Sequence, residues 1–150
     1  MDEQAYKETY RAVSALACPF EKALLICRYA CREARRVNIA ERVAVNCGDA
    51  AAQADCALLH GMLLHGAAFA LKLTHAEAVL PHAKHVKVQC GGLLGLQRAV
   101  RPDAAEAEPV ADIRSLVQEA EARFGDLQAL PYSEIVRGIA GFQARKRSGG

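Results

Sequence analysis

An all-α fold, a compact bundle of about five to seven helices, is predicted by three features of this sequence. Apolar residues recur at helical spacing through most of the chain. Aromatic residues make up only 5% of it and tryptophan is absent, so a core must be assembled from small and aliphatic side chains on closely approaching helices. The length of 150 residues, with 52% hydrophobic and 24% charged, suits one folded domain, residues 1–150, large enough to enclose a core.

The first element is a helix from about Glu3 to Leu16. Tyr6, Tyr10, Val13 and Leu16 fall on one face of it, with Asp2 and Glu3 at its positive end. Cys18-Pro19 stops it, and Pro19 suits the first turn of a second helix whose stripe is Phe20, Leu24, Cys27, Cys31 and Ala34. From Arg36 to Asn46 either that helix continues or a new one restarts at Asn38, which has capping-box spacing to Glu41; the sequence leaves both open. Asn46-Cys47-Gly48-Asp49 reads as a turn, with Asp49 capping a long third helix whose inner stripe is Ala52, Cys56, Leu59, Leu63, Phe69 and Leu73.

Thr74 and Glu77 form a further capping box, and Pro81 interrupts the next segment. His85 to Cys90 alternates like a short strand, whereas Leu93, Leu94 and Leu96 fit a helix to about Val100, with Gly91, Gly92 and Gly95 permitting close packing. The polar, alanine-rich stretch 101–109 is a surface linker. Two helices then close the chain, one with Ile113, Leu116, Val117, Ala120 and Phe124 ending at Gly125, the other starting at Ser133 with Ile135, Ile139 and Phe142.

Charge excludes one class of function. A net charge of +2 falls far short of the concentrated basic field that a nucleic-acid backbone requires. Arg28, Arg32, Arg35 and Arg36 read as a solvated helix face, and Arg145, Lys146 and Arg147 as a polar tail. No apolar run lies near the start, so no secretory signal is read and a cytoplasmic location is expected. The most hydrophobic window, Cys56 to Leu73, carries His60, His65 and Lys72 and reads as a buried helix with no membrane span.

Cysteine is the residue type that points to chemistry. Of six cysteines, Cys18, Cys27, Cys31, Cys47 and Cys56 lie within 39 residues and Cys90 stands apart. In a reducing compartment these are free thiols, redox groups or metal ligands rather than structural disulfides. On a helix, Cys27 and Cys31 project from one face one turn apart. If the second and third helices pack antiparallel, Cys18, Cys31, Cys47 and Cys56 converge at one end of the bundle, with Cys27 as the reserve ligand. The spacings of 9, 4, 16 and 9 residues contain no Cys-x-x-Cys clip, which fits a 4Fe-4S cluster better than zinc, and the cysteine-proline pair and nearby arginines suit such a centre. Unligated packing thiols are the plain alternative for Cys27, Cys31 and Cys56, and the expected one for Cys90.

Of the five histidines, His60, His65, His75, His82 and His85, His60 and His65 have poor spacing for a shared metal, His82 and His85 have spacing to pair but read as exposed polar residues, and the Gly-rich run from Cys90 to Gly95 lacks the Lys-Ser/Thr ending of a phosphate loop. A Cys90–His85 catalytic pair has nothing in its favour. The expectation is a small iron–sulfur protein that carries or senses electrons, with an unidentified redox or protein partner and no evident catalytic residues. A structural zinc protein and a metal-free helical adaptor are the rivals.

Overall fold

The computed structural model describes residues 2–13, 16–70, 80–103 and 109–143. It is mostly helical but not all-α, because a two-stranded antiparallel sheet stands between the second and third helices. The elements are α1 (Glu3–Val13), α2 (Glu21–Leu25), β1 (Ala34–Ile39), β2 (Arg42–Cys47), α3 (Ala50–Ala70), α4 (His82–Val86), a π-helical turn (Lys87–Gly91), α5 (Gly92–Val100), α6 (Ile113–Phe124), a 3-10 turn (Leu127–Ala129) and α7 (Tyr132–Gly141). The capping box Thr74–Glu77, the side chains of Phe69 and Leu73, His75, the middle of the 101–109 linker and the tail Arg145–Arg147 lie outside the described residues.

The hairpin corrects both helical readings of 36–46. Val37, Ile39, Val43 and Val45 are β-branched and alternate, a period-2 pattern that suits a pleated surface better than a helix. The strands pair from Ala34 opposite Cys47 to Ile39 opposite Arg42. Their two-residue turn puts Ala40 in the left-handed region at φ 55°, with no glycine or asparagine there to signal it in the sequence. On one side α1 closes over the hairpin. Arg42 makes two bonds to the Glu3 carboxylate at 2.8 and 3.2 Å and lies 4.3 Å from the centre of the Tyr6 ring.

The expected second helix is also cut short. It ends near Ile26, and Arg28 takes a left-handed φ of 59°, which reverses the chain where a helix would have continued. Tyr29 turns inward to donate from its hydroxyl to the Cys90 carbonyl at 3.2 Å, while Ala30 makes backbone bonds with Val110 and Ile113 at 3.1 and 2.8 Å. These long-range bonds replace the local helical ones. Cys27 and Cys31 therefore lie on either side of a reversal, not on one helical face.

Other elements keep their expected form. Asp49 Oδ2 accepts from the Ala52 amide at 2.8 Å and caps α3. Residues 85–90 are helical, not a strand. One cluster of buried side chains runs from Phe20 to Ile139, with Leu59 and Leu63 of α3, Leu93 and Leu96 of α5, Leu116 of α6 and Ile135 of α7 all fully buried. Helices α5 and α7 cross at backbone contact: a Cβ on Gly95 would meet the Ile135 carbonyl oxygen at 2.3 Å, and one on Gly91 the Gly138 oxygen at 2.7 Å. After α6, Gly125 at φ 87° ends the helix.

Candidate metal centre

Four cysteines from separate parts of the chain line one cavity, and they are Cys18, Cys31, Cys47 and Cys56. Cys18 precedes α2, Cys31 lies beyond the reversal after it, Cys47 ends β2 and Cys56 lies in the second turn of α3. Pro19, Phe20, Glu33, Ile113 and Arg114 are among the residues that complete the wall. The helix-on-helix packing expected to gather the cysteines is not what gathers them. The hairpin does so, by returning Cys47 opposite Ala34 and pairing Ala17 with Asn46.

Backbone bonds hold each arm. Cys18 donates its amide to Val45 at 2.9 Å, Cys47 to Leu16 at 2.7 Å, and Gly48 to Glu33 at 2.7 Å. Asp112 accepts from the Arg32 amide at 2.9 Å, next to Cys31, and Arg32 itself is held by Asp112, Ser115 and Gln118. The Cys47 thiol donates to the Asp49 carbonyl at 3.2 Å. Arg35 lies over Gly48, where a Cβ would come within 2.9 Å of its guanidinium carbon, and it also reaches the Glu33 carboxylate at 3.7 Å. Arg114 is tied to Asp55 at 2.9 Å.

Burial pushes the thiols of Cys18 and Cys56 up to about 12, and burial also raises Cys31. Every pair among the four interacts electrostatically, so a negative charge on one disfavours a negative charge on the next. Opposing this, backbone N–H groups point at two of the sulfurs: that of Phe20 favours a thiolate at Cys18, and those of Glu33 and Arg114 favour one at Cys31. The site is thus a set of thiols whose joint ionisation awaits a compensating positive charge. The space at its centre is small, ≈ 20 Å³ for a water-sized sphere. Among the described residues no group of three or more His, Cys, Asp or Glu side chains stands close enough to hold a metal ion.

The remaining cysteines are elsewhere. Cys27 and Cys90 form a disulfide that joins the α2 reversal to the π-helical turn. This overturns the expectation that no cysteine is bridged, and in this state it withdraws Cys27 from its place as reserve ligand. It also removes Cys90 as a nucleophile for His85. Sequence clustering had set Cys27 with the wrong group, because its partner is 63 residues away and no local pattern connects them.

Of the histidines, His60 and His85 face each other with ring centres 6.4 Å apart, His82 meets Lys22 at 2.9 Å, and His65 is exposed. None of these lines the cysteine cavity. The basic residues Arg28, Arg32, Arg35 and Arg36, expected as one helix face, are dispersed over the reversal and the hairpin. Among the described residues no helix is long and apolar enough to cross a membrane. No protein family, no curated protein and no solved structure matches the chain.

Proposed function

We propose that the chain is a small 4Fe-4S cluster-binding protein with an electron-transfer or redox-sensing role, and that Cys18, Cys31, Cys47 and Cys56 are the ligands. The observation that carries this reading is that four free thiols, separated by as many as 38 positions in the sequence, border one cavity with no histidine in its wall among the described residues. The carboxylate that does line it, Glu33, faces Arg35. An all-sulfur set selects soft metal centres. The backbone N–H groups aimed at Cys18 and Cys31 are the kind of donors that tune a cluster's potential, and Pro19 and Phe20 limit its exposure to water.

Zinc remains the second reading, since four thiolates also suit it. Zinc–sulfur bonds of about 2.3 Å draw all four sulfurs to within about 4 Å of one another. Among the described residues the thiols do not stand close enough together to hold a metal ion as they are, so either centre requires the four arms to move; the irregular spacing without a Cys-x-x-Cys clip is what favours the cluster. When bound, such a cluster supplies one-electron exchange. The chain's own part is to release four thiol protons, offset the resulting charge with oriented amides and with Arg114, and exclude water with Phe20 and Ile113. We propose a cytoplasmic location and a redox protein as partner, on the ground of the four neighbouring unbridged thiols, which suit a reducing compartment; the Cys27–Cys90 bridge, by contrast, suits an oxidising one.

Protein purified without oxygen should be brown and contain about four iron atoms per chain. Single Cys→Ser changes at positions 18, 31, 47 and 56 should abolish that content, while Cys27→Ser and Cys90→Ser should keep it. Colourless protein with one zinc per chain replaces the cluster by the second reading. Protein with no metal under either condition leaves the adaptor reading.

A further inference from the structure

We propose that His60 and His85 form a proton-operated latch between α3 and α4, closed while both rings are neutral and released when they are protonated. This stands apart from the metal reading, because none of the residues involved is a cysteine of the cavity. The two rings lie nearly parallel, 19° apart, with centres separated by 6.4 Å. His60 Nε2 and His85 Nδ1 are shielded from solvent and have no hydrogen-bond partner among the described residues. A direct bond between them would need nitrogens about 3 Å apart and ring centres about 5 Å apart. The pair is therefore packed ring against ring with no bond between them, and the fully buried Phe20 lies edge-on to His60 at 5.7 Å and 77°.

Among the described residues, every charged group that acts on this pair is basic. From α2 comes Lys22, whose ammonium is 2.9 Å from His82 Nδ1. From α4 comes His82 itself. The acids of neighbouring elements are engaged elsewhere: Glu21 accepts from the Val45 amide at 2.9 Å, and Asp55 of α3 holds Arg114. Gln89 of the turn is occupied by the Ala23 amide at 3.1 Å. Burial, then His85, lowers the pKa of His60, and burial, then Lys22 and His82, lowers that of His85.

These depressions fix the direction of the pH effect. Above the unfolded histidine value of 6.5 both states are neutral and the latch is at full strength. As pH falls below 6.5 the unfolded or opened chain takes up protons that the closed form refuses, and stability is lost through the folded pKa values. Each unit of depression costs a factor of about ten in the closed population. Since Phe20 borders both His60 and the cysteine cavity, acid release of α4 also loosens one wall of that cavity.

The test is the urea midpoint of the protein as purified at pH 7.5 and 5.5, for the wild type and for His60→Gln with His85→Gln. The folding constant of the wild type should fall more between the two pH values than that of the double variant. An equal fall in both overturns the proposal. A direct readout does not depend on the variant folding: in the native wild type the imidazole C–H resonances of two histidines should titrate below 6.5. If all described histidines titrate at or above that value, the latch does not exist.

Discussion

Removing the Cys27–Cys90 bridge tests how the reversal after α2 is held. Replacing both cysteines with alanine frees a loop defined by a separation of 63 residues. In the chain-entropy treatment, closing a loop of that length lowers the entropy of the unfolded chain enough to be worth about 4 kcal/mol at 25 °C. Cys90 is fully buried, so a small loss of packing adds to this. For a chain of this size a urea slope of about 2 kcal/mol/M is expected, so the midpoint should fall by about 2 M.

The bridge should also resist external thiols. Attack on the half-buried Cys27 sulfur would expel Cys90 as a thiolate into an apolar core, where a charge is disfavoured. The assay is equilibrium unfolding of the double variant beside the wild type, with alkylation and mass measurement of unreduced protein to count thiols. Four alkylated cysteines and the expected midpoint shift support the reasoning. Six alkylated cysteines, or a shift below about 0.5 M, refute it.

Backbone geometry yields two more expected outcomes. Gly95→Ala would place a Cβ 2.3 Å from the Ile135 carbonyl oxygen; backbone cannot give way as a side chain can, so α5 and α7 must separate and about 2–3 kcal/mol should be lost in urea unfolding. Gly61, around which a Cβ meets nothing, is the control, and Gly61→Ala should gain about 0.5–1 kcal/mol. Asp49→Ala removes the 2.8 Å bond to the Ala52 amide and should cost about 1 kcal/mol in the same assay, whereas Asp49→Asn should cost much less.

Local periodicity and local capping carried the part of this structure that could be read from residue order. The α6 stripe of Ile113, Leu116, Val117 and Ala120, its stop at Gly125, and the Asp49 cap of α3 were all legible because each rests on residues within a few positions of one another. The close crossing at Gly91 and Gly95 was legible as glycine spacing, though not its partner helix. Cysteine clustering likewise drew attention to Cys18, Cys31, Cys47 and Cys56, which border a common cavity.

The rest was set in three dimensions, because the forces involved act between distant positions. Residues 36–46 offered a capping-box spacing that reads as helix and an alternation of Val37, Ile39, Val43 and Val45 that suits a strand, and pairing with the Cys18 arm and cover by α1 go with the hairpin. Helix α2 stops because Tyr29 and Ala30 gain bonds to Cys90, Val110 and Ile113 that no neighbour in sequence offers. That reversal separates Cys27 from Cys31, sending one sulfur to Cys90 and leaving the other on the cavity wall with Cys47. Which thiols meet is set by how the chain returns, and the return is fixed by long-range backbone bonds and core burial rather than by spacing along the sequence.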